Sequence, residues 1–155
     1  MKDEEYIRRA EAIRSRLYRT ALLYLGSEAM AVDAVDEAVY KGFMALKKLR
    51  QPEYCETWLT RILINVCKTE LQRQARFEIL TNVTEEDWSG ELDELPLKEA
   101  LRRLPDELRT VVILRYFSGY TLEETARALE LPRGTVTSRQ KRALELLRLE
   151  LSEED

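Results

Sequence analysis

The side chains best suited to recognition chemistry lie in a short basic segment near the end of an acidic chain. Residues 131–147 read LPRGTVTSRQKRALELL, and four basic side chains precede the first acid of that segment, Glu145, although the whole chain has a net charge of −4. On a helix that begins near Pro132, positions i, i+3, i+4 and i+7 share one face: Thr135, Ser138, Arg139 and Arg142. Guanidinium groups recognise guanine and phosphate, and small hydroxyls let the backbone come close. The segment therefore predicts a surface that reads duplex DNA.

The residues before this segment predict a second helix, joined to the first by a tight turn. Thr121 and Glu124 form a capping box for a helix over Leu122–Glu130, and Pro132 suits the first turn of the next helix because it lacks an amide hydrogen. The face opposite the basic one is predicted to be apolar: Val136, Ala143, Leu144 and Leu147. A short helix, a turn and a helix with one basic face form a helix-turn-helix. The alternative is an ordinary amphipathic helix whose basic side is solvated.

The composition argues against several classes of function. The 155 residues are 45% hydrophobic and 35% charged, which is typical of a helix-rich globular protein. The sequence has no histidine, no Cys-x-x-Cys pair, no glycine-rich phosphate loop and no nucleophile motif, so we expect no metal, no cofactor and no enzymatic activity. The N-terminus is charged and no apolar run is as long as a membrane span. A cytoplasmic protein without membrane insertion is therefore expected, with Cys55 and Cys67 reduced.

The distribution of charge predicts two domains and a linker. Residues 1–76 have a net charge of +3, residues 77–95 have seven acidic and no basic side chains, and residues 96–155 are neutral overall. The middle segment also lacks a sustained hydrophobic period and contains a glycine break, which is typical of a linker. We therefore expect domains over 1–76 and 96–155, joined by an acidic linker over 77–95.

Helical periodicity predicts an all-α fold for both domains. The first domain is expected to contain helices over about 3–25, 28–49 and 57–76, and the second a short helix over about 96–104. The run Thr110–Phe117 has the composition of a strand. However, the residues that follow Pro105 are good helix formers, and no second strand is available for pairing, so a helix is predicted there as well.

Motifs in both predicted domains resemble those of the extracytoplasmic-function (ECF) sigma factors. The stretch PRGTVTSRQKRA, over residues 132–143, is similar to their region 4, together with LRYF and GYTLEETA upstream of it. In the first domain, Tyr24-Leu25-Gly26 and the acids after Ala31 are similar to the core-binding part of region 2. The stretch TWLTRILIN, over 57–65, is similar to its promoter-melting part. One departure is Gly42, which stands mid-helix where a larger residue is usual.

The resemblance implies a specificity subunit that directs core RNA polymerase to promoters and helps to open the duplex. It implies partners: core polymerase, promoter DNA and an anti-sigma factor. The −35 element would be read by Arg133, Thr135, Ser138, Arg139 and Arg142. The −10 element would be contacted by Arg61, Asn65, Lys68 and Arg73. Core polymerase would bind Asp33, Asp36 and Glu37, and the acidic linker would lie in a basic nucleic-acid channel of the polymerase.

Three other functions are consistent with parts of the sequence. A helix-turn-helix transcriptional regulator acting without core polymerase would need only the second domain, and residues 1–76 argue against it. A protein-interaction adaptor that reuses the fold would not need the basic helical face. An enzyme using carboxylates would need a convergent pocket, whereas these side chains are scattered along amphipathic helices.

Overall fold

The computed structural model describes residues 1–81 and 95–153, and all of the regular structure in them is helical. The all-α prediction is therefore confirmed. The helices are α1 (Asp3–Ala12), α2 (Arg14–Leu25), α3 (Glu28–Met44), α4 (Cys55–Thr81), α5 (Leu95–Arg103), α6 (Asp106–Val112), a π-helix (Ile113–Phe117), α7 (Leu122–Leu129) and α8 (Arg133–Glu153). Two short 3-10 turns, Leu46–Lys48 and Pro52–Tyr54, connect α3 to α4.

The chain divides into two compact units, Met1–Ser89 and Gly90–Asp155. Helix α4 continues to Thr81 and so occupies the first five residues of the segment predicted as a linker, while α5 begins at Leu95. The rest of the predicted linker, residues 82–94, lies outside the described residues. No helix in the described part of the chain is long and apolar enough to cross a membrane.

The prediction of one helix over residues 3–25 is wrong, because the helix breaks at Ile13. Ile13 leaves the helical conformation, with φ −108° and ψ 9°, and α2 begins at the next residue. On either side of the break, α1 and α2 both contact α3 and α4. The second helix is also shorter than predicted, since α3 ends at Met44 and the residues up to 49 form a 3-10 turn and an extended residue.

Tyr6 holds α1 against the C-terminal part of α3. Its side chain is fully buried, and its hydroxyl donates a hydrogen bond of 2.7 Å to the carbonyl of Val39. Gly42 lies one turn further along α3. A Cβ atom at Gly42 would overlap the Tyr6 hydroxyl and would lie 3.3 Å from Cδ1 of Leu59. Glycine is therefore required in the last turn of α3 because α1 and α4 approach α3 closely at this point.

Arg9 fixes the same helix to the start of α4. Its Nε and Nη2 donate to the two carboxylate oxygens of Glu56 at 2.8 and 2.7 Å, the fork geometry in which guanidinium and carboxylate bind most strongly. This hydrogen bonding lowers the pKa of Glu56. Together, Tyr6 and Arg9 explain how a short helix with few buried residues is positioned on the first unit.

In the second unit, α7 and α8 form the predicted helix-turn-helix. The capping box is present, since the Glu124 amide donates to Thr121 Oγ1 at 3.0 Å and the Thr121 amide donates to Glu124 Oε1 at 2.9 Å. The turn places Glu130 in the left-handed region, with φ 54°. A small cluster of Val111, Ala126 and Val136 joins α6, α7 and α8. The predicted helical state of Thr110–Phe117 is confirmed, partly as α-helix and partly as π-helix.

We predict that Gly42→Ala lowers the free energy of unfolding by about 1–3 kcal/mol, because an added methyl group overpacks this contact. This loss is expected although alanine favours a helix over glycine by about 1 kcal/mol. In a Tyr6→Phe background the cost should shrink, since the overlapping hydroxyl is gone. Denaturant unfolding of the wild type, Gly42→Ala, Tyr6→Phe and the double variant measures the coupling free energy between the two positions. Gly134→Ala is the control: apart from the backbone of its own helix and its chain neighbours, nothing lies within 4 Å of an added Cβ there, so no loss is expected. An equal cost in both backgrounds would contradict the assignment.

We also predict that stability falls at alkaline pH through two buried groups. Burial raises the pKa of the Tyr6 hydroxyl to about 12, and burial raises the pKa of the Cys67 thiol to about 12. Their ordinary values are 10.0 and 9.0. As the pH rises, both groups therefore ionise first in the unfolded chain. Below about pH 9 they leave the free energy of unfolding unchanged, and between about pH 9 and 12 they lower it progressively. Denaturant unfolding between about pH 8 and 11 measures the slope. The double variant Tyr6→Phe/Cys67→Ala should show a shallower slope, and identical slopes would refute the prediction.

Candidate nucleic-acid and partner interfaces

The exposed face of α8 presents a row of basic and hydroxyl-bearing side chains. Val136 and Ala143 are fully buried, and the side chains that face away from them include Ser138, Lys141 and Arg142, all of them exposed. The hydroxyls of Thr137 and Ser138 donate to backbone carbonyls one turn earlier, those of Arg133 and Gly134, at 3.0 Å each. These hydroxyl oxygens therefore retain lone pairs that can accept hydrogen bonds from a ligand.

The structure changes which residues of α8 face outward. Arg133, Ser138 and Arg142 are exposed as predicted, whereas Thr135 and Arg139 are half-buried on the flank of the helix. Two exposed residues, Thr137 and Lys141, were not among the predicted contacts. Leu144, predicted to be buried, has 42% of its surface exposed. Counting 100° per residue from Val136 and Ala143 alone would have placed Lys141 opposite the core.

Carboxylates of the same unit contact the arginines on this face. Arg139 has 29% of its side chain exposed, and its Nη2 lies 3.8 Å from Glu107 Oε2 on α6. Arg142 Nη1 lies 4.0 Å from Glu145 Oε2, one turn further along α8. Exposed ion pairs of this kind contribute about 0–1 kcal/mol. Both guanidinium groups can therefore exchange their carboxylate for a phosphate or a base at little cost.

A second row of polar side chains lies along α4. Arg61, Asn65 and Lys68 share one face of the helix; Asn65 is exposed and the two cations are half-buried. The exposed Gln72 and Arg76 continue this face towards the end of the helix, although neither was among the predicted contacts.

Arg73 does not belong to the same row. It lies about a quarter turn around α4 from the face of Asn65, and its Nη2 donates to Glu70 Oε1 at 3.0 Å. It lines a groove of about 720 Å³ between α3 and α4. The structure thus separates Arg73 from the three residues with which it was grouped.

The three predicted acids of α3 are all exposed and form a ridge. Asp33 and Glu37 line the groove between α3 and α4. Asp36 instead accepts a hydrogen bond of 2.8 Å from Arg14 Nη1 on α2. Lys41 Nζ lies 3.2 Å from Glu37 Oε1. Arg14 therefore partly neutralises the α2 side of the ridge, and Lys41 partly neutralises Glu37 on the side of α4.

The same ridge becomes apolar towards the end of α3. Tyr40 is 63% exposed and Met44 is 66% exposed, and both follow Glu37 at helical spacing on the ridge. A partner that covers the whole ridge would meet carboxylates first and an aromatic and a thioether side chain beyond them.

Among residues 1–81 and 95–153, no group of three or more histidine, cysteine, aspartate or glutamate side chains is placed to hold a metal ion.

Both parts of the chain match known protein families. The family description "Sigma-70 region 2" matches residues 10–77, and "Sigma-70, region 4" matches residues 100–149. The chain is 34% identical to RNA polymerase sigma factor SigV of Bacillus subtilis over 142 residues, which is 89% of this chain and 86% of SigV. It is 34% identical to the ECF RNA polymerase sigma-E factor of Escherichia coli, covering 74% of this chain and 70% of that protein.

Two solved structures have the same fold. The sigma factor RpoE of Bartonella quintana, in complex with the anti-sigma factor NepR, superposes with a TM-score of 0.75 at 22% identity, covering 96% of this chain and 98% of RpoE. CnrH, in complex with the cytosolic domain of CnrY, superposes with a TM-score of 0.74 at 21% identity, covering 99% of this chain and 92% of CnrH.

Proposed function

The chain belongs to the ECF group of sigma-70-type RNA polymerase sigma factors, which direct core polymerase to promoters, and we propose that three of its helix faces carry out this function. The α8 face reads the −35 element as duplex, the α4 face contacts the −10 element as it opens, and the α3 ridge binds core polymerase. The observation that carries the proposal is the exposed row of α8, because a capped helix-turn-helix presents it opposite a buried apolar stripe.

The α8 face suits a major groove. An α-helix fits that groove, and Lys141 and Arg142 supply the donors that guanine O6 and N7 and the phosphates accept. Thr137 and Ser138 are small enough to let the helix approach and can accept from the exposed amino groups of adenine or cytosine. Arg133 and Thr135, at the start of the helix, lie where backbone phosphates are usually contacted. Arg139 reaches DNA from the flank after leaving Glu107.

The α4 face suits separated strands. A base that leaves the stack must be met by hydrogen bonds to its edge and by cations along the backbone. Asn65 has an exposed amide that can both donate and accept, and Arg61 and Lys68 on either side of it can hold phosphates. Gln72 and Arg76 extend the same row. Arg73 contributes less, because it faces the groove beside α3.

The α3 ridge suits a basic surface of the polymerase. Asp33 and Glu37 present carboxylates beside an open groove, and Tyr40 and Met44 add apolar area at the other end. Aromatic and methionine side chains are enriched in protein interfaces, while complementary charge steers association. Asp36 contributes less than its neighbours because it is directed to Arg14 on α2 and does not line the groove.

The remaining assignments rest on the same proposal. A specificity subunit of this kind is not itself an enzyme, acts where the polymerase acts, in the cytoplasm, and is held inactive by an anti-sigma factor. A helix-turn-helix regulator acting without polymerase is the second candidate. It predicts tight, sequence-specific binding of the isolated chain to duplex DNA, whereas a chain with net charge −4 gains little from counterion release.

Run-off transcription tests the proposal directly. The purified chain is added to core polymerase on a library of genomic fragments, and the start sites are mapped. The expected result is initiation at a defined set of promoters that depends on both proteins. Failure to bind core polymerase, together with tight binding to duplex fragments alone, would favour the second candidate.

We predict that Asp33→Lys/Glu37→Lys weakens binding to core polymerase by at least about tenfold, or 1.4 kcal/mol. Both side chains are exposed, so the thermal midpoint should change little. Asp36→Asn should have a smaller effect because that carboxylate is directed to Arg14 and does not line the groove. The matched control is Glu4→Lys/Glu53→Lys, which makes the same charge change at exposed positions away from the ridge. Equal affinities for the ridge and control variants, measured with labelled core polymerase, would show that the ridge is only solvated.

We also predict that the two DNA-contacting faces respond differently to a pre-melted promoter. Arg139→Ala should cost about 1–3 kcal/mol and relax preference at one or two −35 positions, equally on closed templates and on templates whose −10 region is unpaired. The Asn65→Ala defect should involve the −10 sequence and should partly vanish on the unpaired template, because unstacking has already occurred there.

Two arginines of α4 provide the control for this experiment. Arg76→Ala removes a cation from the row of Asn65, whereas Arg73→Ala removes one that faces the groove. Only the first should reduce transcription in a manner that depends on the −10 sequence. The same response of Arg139→Ala and Asn65→Ala to the unpaired template would refute the division of labour between α8 and α4.

A further inference from the structure

A π-helix lies between α6 and the helix-turn-helix. The amide of Ser118 donates to the carbonyl of Ile113 at 2.8 Å, five residues back, instead of the four of an α-helix. The wider turn changes the direction in which the side chains of Ile113–Phe117 leave the helix axis, relative to a continuous α-helix. One of them, Arg115, is half-buried and directed towards the rest of the unit.

The guanidinium of Arg115 joins three segments. Its Nε donates to Oε1 of Gln140 on α8 at 2.9 Å, and its Nη1 donates to the carbonyl of Tyr120 at 2.8 Å. Tyr120 immediately precedes Thr121, the residue that caps α7. Because a guanidinium is planar and its donors are fixed relative to one another, these two bonds set the distance and the direction between their acceptors.

Of the two acceptors of Arg115, Gln140 is the one that lies on α8, the helix proposed to read duplex DNA. It lies between Arg139 and Lys141 and is half-buried. A hydrogen bond at this position resists rotation of α8 about its axis. Such a rotation would move Ser138, Lys141 and Arg142 together across the major groove of the DNA.

The apolar contacts of α8 hold it against its neighbours and are supplemented by a directional contact. The cluster that joins α6, α7 and α8 consists of Val111, Ala126 and Val136, with three partly buried leucines against it, and Ala143 and Leu147 are buried further along α8. Burial of apolar surface is not itself directional. A hydrogen bond depends steeply on angle and therefore adds a restraint on the rotation of α8.

We infer that Arg115 is a positioning residue for the duplex-reading face of α8 and acts through Gln140. The inference rests on the proposed function of α8 and deepens it, because it assigns part of the −35 preference to a residue on the π-helix. The rival role for Arg115 is a cation that binds a phosphate directly. That role requires no contribution from Gln140, so the two can be separated by experiment.

The experiment uses complete holoenzyme and a defined template pool. Each template has a fixed, pre-melted −10 region, and about one helical turn of duplex upstream is randomised and barcoded. Sequencing of the run-off transcripts gives the preference at every upstream position, and no −35 sequence has to be assumed. The chains compared are wild type, Arg115→Ala, Gln140→Ala and the double variant. Arg103→Ala, which removes an exposed cation from α5, controls for the loss of one positive charge.

Arg115→Ala and Gln140→Ala are each expected to flatten the upstream preference by about tenfold, within the range of coupled neighbours. The double variant should be no flatter than either single variant, since all three lack the same hydrogen bond. Arg103→Ala should retain the wild-type preference. Gln140→Ala keeps the inference testable if Arg115→Ala folds poorly, because alanine is a good helix former at that position.

Two results would overturn the inference. If the two single effects multiply in the double variant, Arg115 acts independently of Gln140, as a phosphate-binding cation would. If Arg115→Ala lowers transcription from all templates by the same factor, it affects only folding or general affinity. A flat preference in the wild-type chain would instead refute the proposed function of α8 and remove the basis of the inference with it. If the wild-type chain has a clear preference and the two single effects multiply in the double variant, only the inference about Arg115 is refuted.

Discussion

Each helix that carries a functional face can bury only one stripe of its surface, and the two compact units are built around this constraint. In α3, the residues Ala31, Ala34, Val35 and Ala38 face the core, which leaves the acidic ridge outside. In α8, Val136, Ala143 and Leu147 are buried, which leaves the basic row outside. Burial of apolar area is the main favourable contribution to folding, so the choice of buried stripe also decides which side chains partners can reach.

Several charged side chains on or beside these faces have partners within their own unit. Arg139 lies beside Glu107, Asp36 beside Arg14, Glu37 beside Lys41 and Arg73 beside Glu70. Such pairs contribute little to stability because water screens them and the side chains lose freedom. They can therefore be replaced by contacts with polymerase or DNA, and until then they order long side chains that would otherwise sample many conformations. Directional restraint comes from the better-ordered contacts, those of Arg9 with Glu56 and of Arg115 with Gln140.

Local signals in the sequence predicted much of the second unit. The capping box consists of Thr121 and Glu124, three positions apart. Because the two residues are so close in sequence, their interaction does not depend on the rest of the chain. The helical state of Thr110–Phe117 followed from its helix-forming start and the lack of a partner strand. The face of α8 was only partly predicted. Leu144 was predicted to be buried, whereas burial depends on where α6 and α7 lie. The predicted face also included the half-buried Arg139 and left out the exposed Lys141.

By itself, the sequence determined that the chain is helical, where the helix-turn-helix is capped and turned, and that the exposed faces of α3 and α8 have opposite charge, because these properties depend on residue type and spacing within one or two turns. The tertiary structure decided the break at Ile13 and the π-helix at Ile113–Phe117. No proline or glycine lies within either of them, and the apolar period continues through Ile13. The break at Ile13 is explained by the contacts of α1, which place Tyr6 beside Gly42 and Arg9 beside Glu56. The contact between Arg115 and Gln140 joins residues 25 positions apart, and no local pattern records a contact at that distance along the chain.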